Sequence, residues 1–74
     1  RATGYERLKE ELLNFVTHHH RSPLIYRSPN SPSEVAEHRL GHRLYRLRCG
    51  LSYQNQVSLA DLDMLAQAGV RVFD

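Results

Sequence analysis

Three short stretches of this chain carry the same signal for the start of a helix, a serine or threonine followed three residues later by an acid. They are Thr3 with Glu6, Ser31 with Glu34 in "SPSE", and Ser58 with Asp61 in "SLAD". The hydroxyl oxygen can accept a hydrogen bond from a free backbone N–H of the first turn, and the acid can satisfy a second one. Three such starts within 74 residues predict an all-α fold, a small three-helix bundle.

Apolar residues recur at helical spacing after each of these starts. Helix 1 is predicted at about residues 4–17, helix 2 at about 32–49 and helix 3 at about 59–68. Gly50 and Gly69 follow helices 2 and 3 as stops, because glycine adopts the left-handed conformation easily. The predicted core positions are Tyr5, Leu8, Leu12, Phe15, Val16, Ala36, Leu40, Leu44, Leu47, Leu59, Leu62, Leu65 and Ala66, with Val70, Val72 and Phe73 of the tail closing the core.

Residues 18–30 show no helical periodicity, and Pro23 and Pro29 interrupt any helix there because proline lacks the backbone N–H. We therefore predict a long proline-containing loop between helices 1 and 2. Within this loop, the side chains of Leu24 and Tyr26 are expected to pack against the helices as part of an extended segment.

The length of 74 residues and the apolar content of 41% suit a single helical domain, residues 1–74. Because the sequence begins without methionine and ends directly after "VRVF", we expect a domain excised from a longer multidomain protein. Its one cysteine, Cys49, cannot form an intramolecular disulfide, and we expect this side chain to be partly buried. The absence of a disulfide suits a reducing compartment, so we expect an intracellular protein, either cytoplasmic or nuclear. No apolar run is long enough to span a membrane, so we expect no membrane contact, and we expect a monomer in isolation.

The positive charge is concentrated in the middle of the chain. Residues 21–50 hold six arginines and two glutamates, whereas the whole chain carries a net charge of +2. At 100° per residue the apolar stripe of helix 2 lies opposite an outer face without any acid after Glu37. That outer face carries His38, Arg39, His42, Tyr45, Arg46 and Cys49, with Arg43 and Arg48 at its margins.

Two interpretations of this face stay open. A surface helix needs polar residues, and arginine is a good helix former that suits the negative end of a helix dipole. The functional interpretation is an accessory nucleic-acid-binding module, in which guanidinium groups pair with phosphates and rings stack on bases. The predicted nucleic-acid contacts are Arg39, His42, Arg43, Tyr45, Arg46 and Arg48 of helix 2, with Arg21 and Arg27 of the loop. The alternative partner is an acidic protein helix or tail.

The sequence shows no strong signal for a metal site or a catalytic site. The run His18 to His20 and the single Cys49 lack the paired short spacings of zinc sites, so we expect no metal and no cofactor. Asp61 and Asp63 fall in the first turn of a helix, where carboxylates are favoured electrostatically. The chain has no glycine-rich phosphate loop and no nucleophile elbow, and we do not expect an enzyme.

Three stretches covering most of the chain, "ERLKEELLNFVTHHHRSP", "RLGHRLYRLR" and "SLADLDMLAQAGVRVFD", resemble the helicase-associated domain. The residues that fit the pattern of this family are Phe15, His19 or His20, Pro23, Leu40, Gly41, Leu44, Arg48, Leu65 and Gly69. Arg43 and Phe73 stand where the family has tryptophan, and Leu47 stands where it has glutamine. The resemblance implies a three-helical module, often repeated in tandem within large bacterial helicase-like proteins, that binds DNA or RNA beside the rest of its polypeptide.

Gly41 lies in the middle of predicted helix 2. Glycine at such a position costs about 1 kcal/mol relative to alanine. We therefore expect another segment of the chain to pack closely against helix 2 at this point.

Overall fold

The computed structural model describes residues 3–73, and these form three α-helices and no strand. α1 spans Gly4–His19, α2 spans Pro32–Arg48 and α3 spans Leu59–Ala68, with a short 3-10 turn at Gln54–Gln56 before α3. α1 lies centrally and packs against both α2 and α3. The predicted all-α three-helix architecture is therefore confirmed. None of the helices among residues 3–73 has the length and apolar character needed to cross a membrane.

All three predicted hydroxyl caps are present. The hydrogen bonds run to the side chain of Thr3 from the Glu6 N–H (3.2 Å), to that of Ser31 from the Glu34 N–H (3.2 Å), and to that of Ser58 from the Asp61 N–H (3.1 Å). Each cap satisfies an N–H that the helix itself leaves unpaired. These caps set the three helix starts at the predicted residues.

The acids that follow the caps make different contacts from those of a closed capping box. Glu34 accepts a hydrogen bond from the backbone N–H of Asn30 (3.1 Å), one residue before the cap. Asp61 instead accepts the Tyr5 hydroxyl (2.8 Å) and pairs with Lys9 (3.2 Å), so it joins α3 to α1. Burial and the bond to Asp61 raise the pKa of Tyr5, and the same bond lowers the pKa of Asp61.

The core consists of one apolar stripe from each helix together with the tail that follows α3. Its buried members are Tyr5, Leu8, Leu12, Val16, Leu40, Leu44, Leu47, Leu65, Val70 and Val72. Phe15 is only partly buried at the edge of the core, and Phe73 is exposed. The tail thus closes the core through its two valines, which are buried while Arg71 between them is exposed.

The predicted stripe of α3 was wrong at two positions. Only Leu65 of this helix is fully buried, while Leu59 is 85% exposed and Ala66 is also exposed. α3 has ten residues and presents a narrow edge to α1, and the space that a wider stripe needs is filled by Val70 and Val72. An amphipathic pattern gives no information on how much of a stripe its neighbours cover.

The buried side of α2 is also rotated from its predicted position. Ala36 is exposed, whereas Glu37 and Gly41 are buried. The reason is the loop between α1 and α2, which lies along the side of α2 that carries these two residues. A Cβ atom on Gly41 would lie 2.6 Å from the backbone oxygen of Leu24, which bears out the expected close packing at this glycine. Leu24 approaches through its backbone, and its side chain is exposed rather than packed against the helices as predicted.

Glu37 holds this loop against α2. Its carboxylate accepts two hydrogen bonds from Arg21 (2.6 and 3.2 Å), one from the Leu24 N–H (2.8 Å) and one from the Tyr26 hydroxyl (3.0 Å). The Arg21 guanidinium beside the carboxylate lowers the pKa of Glu37 to about 2, with further help from the Leu24 and Tyr26 donors and against the opposing effect of burial. A glutamate that lies 7% exposed is therefore ionised and fully hydrogen bonded.

Replacing Gly41 by alanine is expected to destabilise the domain by about 1–3 kcal/mol, because the new methyl group collides with the Leu24 carbonyl. Urea unfolding followed by circular dichroism measures this change. On an open helix surface, replacing glycine by alanine raises the free energy of unfolding by about 1 kcal/mol. The reverse substitution at the exposed position of α2, Ala36→Gly, is the matched control and should lower the free energy of unfolding by about the same amount. A Gly41→Ala variant more stable than the wild type would contradict the close contact.

Replacing Glu37 by glutamine is expected to lower the free energy of unfolding by about 2–4 kcal/mol near neutral pH, since a buried charged partner of Arg21 is lost. The pKa of Glu37 lies at about 2 in the folded chain against an ordinary value of 4.5, so its stabilising effect is complete above pH 4.5 and disappears toward pH 2. The difference between wild type and variant should shrink across that range. Glu10→Gln, an exposed site on α1, is the control and should change stability by less than about 0.5 kcal/mol; a constant difference across this pH range would contradict the assignment.

Candidate functional site

One side of α2 carries five polar or basic side chains away from the core. We call this surface the α2 basic face, and it consists of Arg39, His42, Arg43, Tyr45 and Arg46. It exists because the buried side of the helix is occupied by Leu40, Leu44 and Leu47, and the helical repeat turns the intervening residues outward. All five were predicted as nucleic-acid contacts, and the structure brings them together on one surface.

The arginines of this face differ in how far their charge is compensated. Arg39 is exposed and makes no hydrogen bond or ion pair within residues 3–73. Arg46 donates from Nε to the Ser52 hydroxyl (3.1 Å), a neutral partner that leaves its charge unbalanced. Arg43 pairs with Glu11 of α1 (3.0 Å), and both side chains are substantially exposed, so this pair contributes about 0–1 kcal/mol and can be exchanged.

Arg21 and Arg48, two further predicted contacts, have structural partners inside the domain. Arg21 is engaged by Glu37, which raises the already high pKa of its guanidinium. Arg48 donates from Nε to the backbone carbonyl of Arg71 (3.0 Å), with a second hydrogen bond from Nη2, and so ties the end of α2 to the tail. Sequence reasoning missed both roles, because the partners are a glutamate 16 residues away and a carbonyl 23 residues away. We leave these two residues out of the α2 basic face.

Arg27 lies in the loop next to the N-terminal part of α2. The N–H of its neighbour Tyr26 donates to Nδ1 of His38 (2.9 Å), which brings this part of the loop to the edge of the helix. Arg27 itself is exposed and forms no hydrogen bond within the described part of the chain. It extends the basic surface beyond the helix by one side chain.

Three rings form a row along α2, namely those of His38, His42 and Tyr45. The ring centroids of His38 and His42 lie 6.3 Å apart with planes inclined by 26°, and those of His42 and Tyr45 lie 6.2 Å apart at 37°. The hydrogen bond from Tyr26 requires Nδ1 of His38 to be the unprotonated nitrogen. At the other end, the neighbouring Cys49 thiol raises the pKa of the Tyr45 hydroxyl.

A shallow hollow opens beside this row. It has a volume of about 420 Å³ and is lined by the side chains of His38, Arg39, His42 and Arg43. Two histidines and two arginines thus line one open space. The prediction singled out His42 and Tyr45 but did not include His38 in the site, although its position four residues before His42 places it on the same side of the helix.

The acids near this face leave its charge largely uncompensated. α2 has no acid after Glu37, and that carboxylate is turned inward and shared with Arg21. Glu11 of α1 compensates Arg43 alone among the face residues. Arg39 and Arg46 are therefore two exposed positive charges that have no acidic partner among residues 3–73.

The three consecutive histidines, His18 to His20, lie at the C-terminal end of α1 and contact residues of that helix. His18 bonds to the Asn14 carbonyl oxygen (2.8 Å), the His19 ring stacks on Phe15 at 4.1 Å, and His20 takes the left-handed conformation after the helix, at φ 57°. The described residues contain no group of three histidine, cysteine, aspartate or glutamate side chains that could hold a metal ion. Cys49 is exposed rather than partly buried as predicted, because it caps α2 on its outward side.

Comparison with known proteins identifies no relative. No family model matches the chain, and no significant match appears among curated proteins or among solved structures. The resemblance to the helicase-associated domain therefore rests on the residues quoted for it above.

Proposed function

We propose that this domain is an accessory nucleic-acid-binding module that contacts phosphates through the α2 basic face. The observation that carries the proposal is the pair of exposed guanidiniums of Arg39 and Arg46 on one side of α2, which have no acidic partner in the described part of the chain. The resemblance to the helicase-associated domain supports the same function, and we propose a non-catalytic role inside a larger, intracellular helicase-like protein. An exposed Cys49 thiol suits such a reducing compartment.

The spacing of the two arginines suits an extended anionic polymer. Arg39 and Arg46 are separated by two helical turns, about 10 Å along the axis, so they can reach different phosphates. A guanidinium can pair with two phosphate oxygens at once. Arg43 can join them when Glu11 is displaced, since the existing ion pair is exposed.

An acidic protein segment is the other ligand that these charges fit, and the ring row favours nucleic acid over it. Carboxylates pair with arginine as phosphates do, but an acidic segment has no necessary use for exposed His42 and Tyr45 rings. Nucleobases offer flat faces to such rings. Nucleic acid therefore accounts for both the cations and the rings, whereas an acidic protein accounts for the cations alone.

Binding to a short duplex, a single-stranded DNA and an RNA should be measurable at low salt and should weaken as salt rises. Three phosphate contacts from Arg39, Arg43 and Arg46 correspond to a slope of about −2 to −3 in log affinity against log salt for duplex DNA. The double variant Arg39→Ala with Arg46→Ala is expected to bind at least about tenfold more weakly and to show a slope nearer −1. Fluorescence anisotropy at several salt concentrations gives both quantities.

The matched control removes two exposed charges elsewhere, through Arg7→Ala with Arg71→Ala. Arg7 lies beside Glu10 and Glu11 on α1, and Arg71 lies in the tail, so this variant should retain most of the affinity. Equal losses in the two double variants would mean that only net charge matters and would remove the α2 basic face from the proposal. No binding of any nucleic acid at low salt would overturn the function and favour an acidic protein partner.

Replacing Glu11 by glutamine should increase nucleic-acid affinity, because it frees Arg43 for a phosphate. We expect a gain of about two- to fivefold and a salt slope at the steep end of the wild-type range, near the value of about −3 for three full contacts. Glu10→Gln removes the same charge one residue away, without breaking an ion pair among the described residues, and controls for net charge. If both variants gained affinity equally, Arg43 would not be a contact.

A further inference from the structure

The ring row of α2 differs from an ordinary pair of packed aromatics. On α1, Phe15 and His19 are also four residues apart, and their centroids lie 4.1 Å apart in a closed stack. On α2 the gaps are 6.3 and 6.2 Å, although the ring planes are similarly inclined to one another at 26° and 37°. The ring centroids of α2 therefore lie about 2 Å further apart than those of the closed stack on α1.

The width of these gaps is close to what an inserted base needs. Successive bases of one strand are about 3.4 Å apart along the helix axis, so a base between two rings requires roughly twice that distance, about 7 Å. Small side-chain movements provide the remainder, since His42 is exposed and Tyr45 is 50% exposed. The first gap also lies beside the hollow that His38, Arg39, His42 and Arg43 line.

One of the rings is tethered before any ligand arrives. The Tyr26 N–H donates to Nδ1 of His38 and so holds this ring from the loop. A tethered ring loses less conformational entropy on binding than a freely rotating one. The central ring, His42, borders both gaps.

A duplex cannot use such a row, because its base faces are stacked inside and only edges and phosphates are exposed. A single strand exposes base faces, and a ring that stacks on a base strengthens binding by roughly five- to a hundredfold with little dependence on which base it is. We infer that the preferred ligand of this face is single-stranded nucleic acid, with about two bases held between the rings of His38, His42 and Tyr45 while the arginines bind the flanking phosphates. This inference rests on the proposed function and specifies its substrate class.

The test compares three probes of about twelve units, a thymidine oligonucleotide, an abasic strand with the same sugar-phosphate backbone, and a blunt duplex. We expect the thymidine strand to bind at least about tenfold more tightly than the abasic strand. His42→Ala and Tyr45→Ala should each weaken thymidine binding about fivefold or more and leave abasic and duplex binding within about twofold. Tyr45→Phe should restore the affinity, and Leu59→Ala, at an exposed apolar position of α3, should change nothing.

A 2-aminopurine placed in the single strand reports stacking directly, because its fluorescence is quenched between rings. Quenching by the wild type that disappears in Tyr45→Ala supports the inference. If the thymidine strand, abasic strand and duplex bind equally, with no quenching and no effect of the ring variants, the inference is overturned while phosphate binding by the arginines stands. If none of the probes binds, the proposed function fails and this inference fails with it.

Discussion

The buried carboxylate of Glu37 is the contact on which the arrangement of the loop and of α2 depends. It gathers donors from three places in the loop, the Arg21 guanidinium, the Leu24 N–H and the Tyr26 hydroxyl. A buried carboxylate is tolerated only when its oxygens are hydrogen bonded, so the loop must lie where its donors reach it. The position of the loop backbone against Gly41 follows from this requirement.

The hydrogen bonds of Glu37 also affect the candidate site on the other side of α2. Because the Tyr26 hydroxyl is bound to Glu37, the Tyr26 backbone N–H lies within hydrogen-bond distance of His38. This hydrogen bond fixes the position of the His38 ring, the first of the row. Because Arg21 is bound to the Glu37 carboxylate, it does not contribute to the outer face of α2. The arginines of that face have no buried acidic partner among the described residues. The hydrogen bonds of Glu37 on one side of α2 and the α2 basic face on the other are therefore linked through a few side chains of one loop.

A second polar contact, among Asp61, Tyr5 and Lys9, attaches α3 to α1 in the same manner. It matters because α3 is short and contributes Leu65 as its fully buried side chain. The apolar core of a 74-residue chain is small. The hydrogen-bonded carboxylates of Glu37 and Asp61 therefore help to orient the helices. Their pKa shifts reflect this, since Asp61 and Glu37 are both stabilised in the ionised form.

The sequence by itself determined the number of helices, their starts and most of their buried residues, because hydroxyl caps, glycine stops and apolar spacing act within a few residues. It also indicated the outer residues of α2, since the helical repeat assigns them to the side away from Leu40, Leu44 and Leu47. Only the tertiary structure decided which arginines keep an uncompensated charge, because the partners of Arg21, Arg43 and Arg48 lie far away in the chain. It likewise decided that Glu37 rather than Ala36 is buried and that the Tyr26 N–H holds His38, since both depend on where the loop crosses α2.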